Sequence, residues 1–449
     1  MVAQKNIIKK VQIGVNTPSQ QNGLLLKDKL DVFFKKNIFP EIDAYFNSIQ
    51  RNHSKTIRIQ NILIEINVDK KVSLPDMKVL IMNEIKTKIN ETNFTKNNSA
   101  NFQIITSEQK EIEAFFFFLK NGSFPWWFEE TAQFWDEFTK KIHFGKGNSD
   151  KLISLLSIGE IRKRLVFQFD DGQVFNIVSS LLNLKKKSSI KLNLPKIYRI
   201  QFWETLLHFS LFNNKQKAVE ILQNIPFNNV KKILKEAGEK FEIHIPINSA
   251  DFIKIDDRKK EFQKAESPEK MDSWDISEND FNNKKEEVFI KNAGLILLHP
   301  FLKMFFEKLD FLSGKNIKPG KIDEAIHVLH YLATGKEQAY EHELTIEKFI
   351  CNVPFQQPID RHISLTKEQK IACEVLLLAV LENWSTLKSK STEIIQNEFL
   401  QRDGKLIITD EKQTLIVQRK TQDILLDKLP WNLHLIKIPW KEMILFVEW

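Results

Sequence analysis

Cysteine is almost missing from the sequence: Cys351 and Cys373 are the only two in 449 residues, and neither stands in a CxxC pair. That excludes a disulfide framework and a cysteine-based zinc cluster, and it points to a reducing compartment. No stretch approaches the ~20 uncharged apolar residues of a membrane span. The opening, Met1 to Gln12, alternates Lys with short apolar groups and lacks the continuous apolar core of a secretion signal. Glycine is scarce at 13 residues, and Gly145-Lys146-Gly147 lacks the Walker spacing, so it reads as a turn and not as a phosphate cradle. There is no GxSxG elbow, no HExxH pair and no recognised context for a cysteine nucleophile.

The remaining candidates for chemistry have plainer readings. His327 and His330 stand at i, i+3 with His299 and His342 nearby, yet no further ligand pattern supports a metal, and the sequence predicts structural histidines. The acid pairs Glu129-Glu130, Asp136-Glu137 and Asp170-Asp171 are adjacent, which on a helix points the two groups about 100° apart. Solvated faces explain them, and Asp170-Asp171-Gly172 has the composition of a turn. The charge excess is small, +8 from 66 Lys and Arg against 58 Asp and Glu, and its clearest run is only Lys185-Lys186-Lys187 with Lys191 nearby. A nucleic-acid-binding protein is therefore the rival of a different class, to be recognised by strong salt dependence. The sequence predicts no catalytic residue, no cofactor, no metal and no small-molecule substrate.

What is abundant is phenylalanine, at 35 residues, and its crowding locates a core. Phe115 to Phe118, Phe124, Trp126, Trp127, Phe128, Phe134, Trp135 and Phe138 fall within two helices that meet at Asn121 to Pro125. One face cannot readily bury both rings of Trp126-Trp127, so they are candidate protein-interaction residues. Around this region the pattern predicts an α+β fold, mostly helical, with a small N-terminal sheet and a C-terminal β hairpin or sheet. Strands are expected at 7–15 and 57–68, and helices at 23–38, 76–89, 152–169, 175–184, 197–212, 215–225 and 230–238. Helices are also expected at 289–312 with a break at His299-Pro300, at 322–334 stopped by Gly335, at 366–385 and at 392–400. The polar turn Asp410-Glu411-Lys412 lies between strand-like runs at 406–408 and 414–419, and further runs follow at 433–438 and 443–447.

Between Asp251 and Glu287, 20 of 37 residues are charged and apolar residues are isolated, which marks a linker. The expected organisation is an α+β domain over 1–250, a charged linker over 251–287 and a helical domain ending in strands over 288–449. Leu429-Pro430-Trp431 and Ile438-Pro439-Trp440 echo one another, and the close of the sequence is apolar. Trp431, Trp440, Phe446 and Trp449 therefore join the candidate interaction residues, while a strand over Met443 to Trp449 would belong by preference to the second domain's own sheet.

Several of these segments together resemble the tape measure protein family of bacterial contractile injection systems, which are phage-tail-like particles. The stretches are FFFFLKNGSFPWWFEE from Phe115, NAGLILLHPFL from Asn292, VLHYLATG from Val328, ENWSTLKSKSTEIIQNEFLQRDGKL from Glu382, LLDKLPW from Leu425 and IPWKEMILFVEW from Ile438. IRIQNILIEI from Ile57 also looks like the family's start. Two departures stand out: Cys351-Asn352 where the family pattern leads one to expect Cys-Gly, and Lys441 where an apolar residue is commoner. The resemblance implies a non-enzymatic assembly protein, cytoplasmic during assembly and then within the particle. Its implied role is to occupy the inner tube and set its length, with a tube-end adaptor on the cap or spike side as the alternative. The implied partners are the inner tube protein and baseplate, spike or cap components.

Overall fold

A computed structural model describes residues 6–16, 29–49, 55–67, 73–91, 102–131, 133–184, 195–208, 211, 215–223, 286–388 and 391–449. It has two compact units: Met1–Phe115 with Pro125–Glu129, and Phe116–Phe124 with Glu130–Trp449. Each is α+β.

In the first unit, Leu30, Phe33 and Ile38 fall on one buried face as their spacing predicts. The helix does not stop before Pro40. A π turn over Phe34–Ile38, closed by the Phe39 N–H on the Phe34 carbonyl, leads directly into α1 (Phe39–Ile49). The shifted ladder places proline in the first turn of the new helix, where its missing N–H costs nothing. Helix α2 (Leu74–Glu91) packs Ile81, Met82, Ile85 and Ile89 into the same cluster. Strand β1 (Lys55–Ile59) pairs antiparallel with β2 (Phe102–Thr106), so the expected strand over 57–68 is shorter and its partner lies nearly fifty residues on. Residues 7–15 alternate but form no ladder, and Ile8, Val11, Ile13 and Val15 are exposed. Alternation makes a strand only where an edge accepts it.

After β2 comes α3 (Ser107–Asn121), ended by Gly122 at φ +73°. The next helix starts later than the aromatic spacing suggests: Pro125 to Phe128 form a turn, and α4 covers Phe134–Lys141. Then follow α5 (Lys146–Leu156), α6 (Gly159–Gln168), α7 (Asp171–Leu181), α8 (Lys196–His208) and α9 (Lys215–Gln223). Asp170 is no turn residue but the N-cap of α7, accepting from the Gln173 N–H at 2.8 Å while Gln173 bonds back to the Asp170 N–H. The expected helix over 230–238, the basic run over 185–191 and residues 251–285 of the expected linker lie outside the described residues. The last two linker positions, Glu286 and Glu287, open strand β3 (Glu286–Ile290).

Residues 289–312 are therefore not one helical region. After β3, a tight helical turn over Ala293–Leu298 precedes α10 (Leu302–Lys308) and a two-residue hairpin of β4 (Leu312–Ser313) and β5 (Asn316–Ile317). A Cβ on Gly294 would meet the Phe399 carbonyl oxygen at 1.7 Å, so this turn can seat against the chain only because the residue is glycine. Next are α11 (Ile322–Thr334), ended by Gly335 at φ +70°, α12 (Thr345–Ile350) and α13 (Lys367–Asn383), capped by Thr366 and Gln369. Helix α14 (Thr392–Ile395) continues as a π turn to Leu400.

Strands β6 (Gly404–Ile408) and β7 (Gln413–Val417) make the expected hairpin, joined by β8 (Leu435–Ile436) and β9 (Leu445–Glu448). The sheet order is β3-β6-β7-β9-β8, antiparallel except for the β7–β9 pair. Leu406, Leu415 and Val447 lie in register on its inner face, buried in one core cluster with Leu295 to Leu298 and with apolar residues of α11 to α13.

Candidate interaction surface

The aromatic crowd is mainly core. Trp135 is stacked on Phe124 with centroids 5.3 Å apart and meets Phe118 at 4.8 Å, Phe169 at 4.9 Å and Tyr340 at 5.8 Å. The six candidate interaction residues then separate. Trp126 is 41% exposed, whereas Trp127 is half-buried beneath the Arg58 guanidinium, 4.5 Å from its ring centroid. Trp440 is buried, stacks on Phe306 at 5.0 Å and donates its indole N–H to the Ile350 carbonyl at 2.6 Å. Trp431 packs edge-on against Phe301 and donates to the Leu297 carbonyl. Trp449 donates to Asp423 Oδ2 at 3.2 Å, the carboxylate that also receives Arg402 at 2.7 Å.

Phe446 differs because strand alternation turns it out of the core. It is 37% exposed between buried Leu445 and Val447, its register partner on β8 is the exposed Leu435, and Lys412 Nζ sits 4.5 Å from its ring. Phe289 on β3, also exposed, lies on the same outer face, one pleat from the buried row. Ile407 and Ile416, half-buried, share that face, where the register sets Lys405 between Phe289 and Ile416 and Thr414 between Ile407 and Phe446. A face that mixes exposed aromatics with charged side chains is chemically suited to contact with another protein.

The polar groups that sequence reasoning missed hold the fold together. Glu341 and Arg164 are fully buried and joined by two hydrogen bonds, Nε to Oε2 at 2.9 Å and Nη2 to Oε1 at 3.3 Å. Arg164 also donates to the carbonyls of Leu119 and Gln356, and buried Lys348 donates to Glu341 Oε1 at 2.5 Å and to the Phe355 carbonyl. Burial pulls the Lys348 ammonium below the usual lysine range. Asp171, expected in a solvated turn, is buried in α7 and accepts from Arg199 at 2.7 Å and Trp203 at 2.8 Å. Glu130, expected on a solvated face, faces His342 Nε2 at 2.5 Å. No local signal singles out Arg164, which follows Arg162 and Lys163 in the charged first half of its helix.

The histidines bind protein groups. His327 Nε2 faces the Asp360 carbonyl at 2.9 Å, and burial draws its pKa down to about 4, which keeps the ring neutral. His330 Nδ1 faces Glu347 at 3.3 Å, and His299 Nδ1 faces the Ile296 carbonyl. Glu130, His342 and Glu343 bring one ligand atom each within 4.8 Å of one another. Both carboxylates have other partners there: Lys291 lies 3.8 Å from Glu130, and the Tyr340 N–H donates to Glu343. The two cysteines are buried, and burial pushes the Cys373 thiol up to about 12.

Among the described residues, no helix is long and apolar enough to cross a membrane. The family model described as contractile injection system tape measure protein matches residues 5–449. The chain belongs to that family. No curated protein and no solved structure matches it. Membership makes it a tape measure protein of an injection particle, and the two positions expected to depart from the family pattern meet in its structure. Asn352 sits at φ +58°, a left-handed position suited to glycine, and its Oδ1 receives Lys441 Nζ at 3.3 Å.

Proposed function

We propose that this tape measure protein is a non-enzymatic assembly protein that works through protein contacts, occupying the inner tube and setting its length. The observation that carries the reading is the match of the family model to residues 5–449. Its partners are the inner tube protein and baseplate, spike or cap components, reached from the cytoplasm during assembly. Trp126, Leu435 and Phe446 offer the contacts, while Trp431, Trp440 and Trp449 brace the fold of the second unit.

A second reading, a tube-end adaptor, is favoured by compactness. The longest described helix, α2, has 18 residues and spans ~27 Å at ~1.5 Å per residue, whereas a ruler gains from extension. An in-frame helical insertion within residues 251–285 separates the two. For a ruler, particle length measured by electron microscopy rises by ~1.5 Å per added residue. Normal assembly at unchanged length would defeat length control and leave the adaptor.

A further inference from the structure

Helix α13 has two apolar sides, and the core uses only one. Ala372, Cys373, Leu376, Leu377, Val380 and Leu381 are buried. On the opposite side Ile371 is 59% exposed, Val375 47% and Leu378 40%. Their spacing, i, i+4, i+7, places them in a single stripe. At ~100° per residue the exposed Glu368, Glu374 and Glu382 fall within or beside that stripe, against Lys367 alone as an exposed cation. Lys370 is engaged by Glu337 at 2.6 Å.

We propose that this face of α13 docks a basic amphipathic helix of another protein, one whose apolar stripe is flanked by Lys or Arg. That the other protein belongs to the same particle rests on the assembly role above. The chemistry selects this occupant over others. Three apolar side chains over two turns match the i, i+4, i+7 anchors by which one helix reads another, and the flanking carboxylates match cations at the margins of such a seam. A second copy of α13 would bring Glu382 toward Glu368 when antiparallel and carboxylate toward carboxylate when parallel, both repulsive. An anionic lipid surface is repelled by the same charges.

The test is fluorescence anisotropy of the full chain with a designed helical peptide carrying a leucine stripe flanked by lysines, beside a matched peptide with glutamates in their place. The lysine peptide binds, the glutamate peptide does not, and added salt weakens the complex. Val375→Lys and Leu378→Lys each weaken binding about tenfold, the size of one anchoring side chain, while Met304→Lys on α10 leaves it unchanged. Should either α13 variant melt lower than the parent chain, Glu374→Lys with Glu382→Lys serves instead, transferring preference to the glutamate peptide. Absence of binding, equal binding of the two peptides, or indifference to the α13 substitutions overturns the proposal. So does self-association abolished by Val375→Lys, which would assign the face to a second copy, or preferential capture by anionic vesicles. Peptide binding is read without the particle, so a failed length assay leaves this result standing and the reverse also holds.

Discussion

Lys441 lies beside Cys351 in a nearly closed site, its ammonium donating to the Phe349 carbonyl at 3.1 Å and resting 3.9 Å from the Phe349 ring. Burial lowers its pKa from the ordinary 10.5 to about 8. The sign of the consequence is fixed by proton binding. Between about pH 8 and 10.5 the unfolded chain holds a proton that the folded chain has released, so this group makes stability rise with pH there. Below pH 8 both states are protonated and the contribution is flat. Melting temperature measured across that window should climb relative to the Lys441→Met variant, and parallel curves would show that the ammonium is not confined as described. The same residue pairs with Asn352, the other position at which the sequence is expected to depart from the family pattern. Asparagine is the side chain that best replaces glycine in the left-handed region, and its amide oxygen gives the buried ammonium an acceptor. A tertiary contact joins positions 352 and 441, and no local periodicity can announce it.

At the scale of elements, legibility followed locality. Helix α11 and its glycine stop, α13, and the β6–β7 hairpin were readable because their signals are contiguous. Strand β2 drew no reading because its partner β1 is remote, and β3 was hidden because Phe289 and Ile290 also suit an apolar helix. The interaction residues were half-readable: the sequence shows that Phe446 and Trp440 are large and apolar, but strand alternation and a stacking partner decide which one faces out. Strand β9 makes the point testable. It lies between β7 and β8, buries Leu445 and Val447, and brings Trp449 to the Arg402–Asp423 pair. Burial of each such apolar side chain is worth ~1.5–3 kcal/mol, so deleting Met443 to Trp449 removes a large part of a domain's margin. The purified truncated chain should melt at a markedly lower temperature or lose solubility. A truncation that melts like the full chain would place β9 outside the cooperative fold.

At the scale of the whole molecule, charge density over 251–287 argues for two domains divided there, while the polar contacts of the second unit run across that point in the sequence. Arg164 of α6 is bonded to Glu341, Gln168 donates to the Ile359 carbonyl and accepts from the Glu341 N–H at 2.7 Å, and the Arg361 N–H donates to the Phe167 carbonyl. Lys196 of α8 pairs with the buried Asp360 at 2.7 Å. Removing the segment before 224 would strip Glu341 of its arginine but leave Lys348, a broken buried network of the kind that costs about 3–5 kcal/mol. The two segments are therefore expected to behave as one folding unit joined by a dispensable covalent link. A protease site engineered within residues 251–285 gives the measurement. After complete cleavage the two fragments should elute together on gel filtration under native conditions, and the second unit should melt in one transition. They should separate only in denaturant, and Arg164→Met should promote their separation. Two fragments that part without denaturant, each melting on its own, would instead support a division of the chain at 251–287 and make the Arg164–Glu341 network an interface between domains.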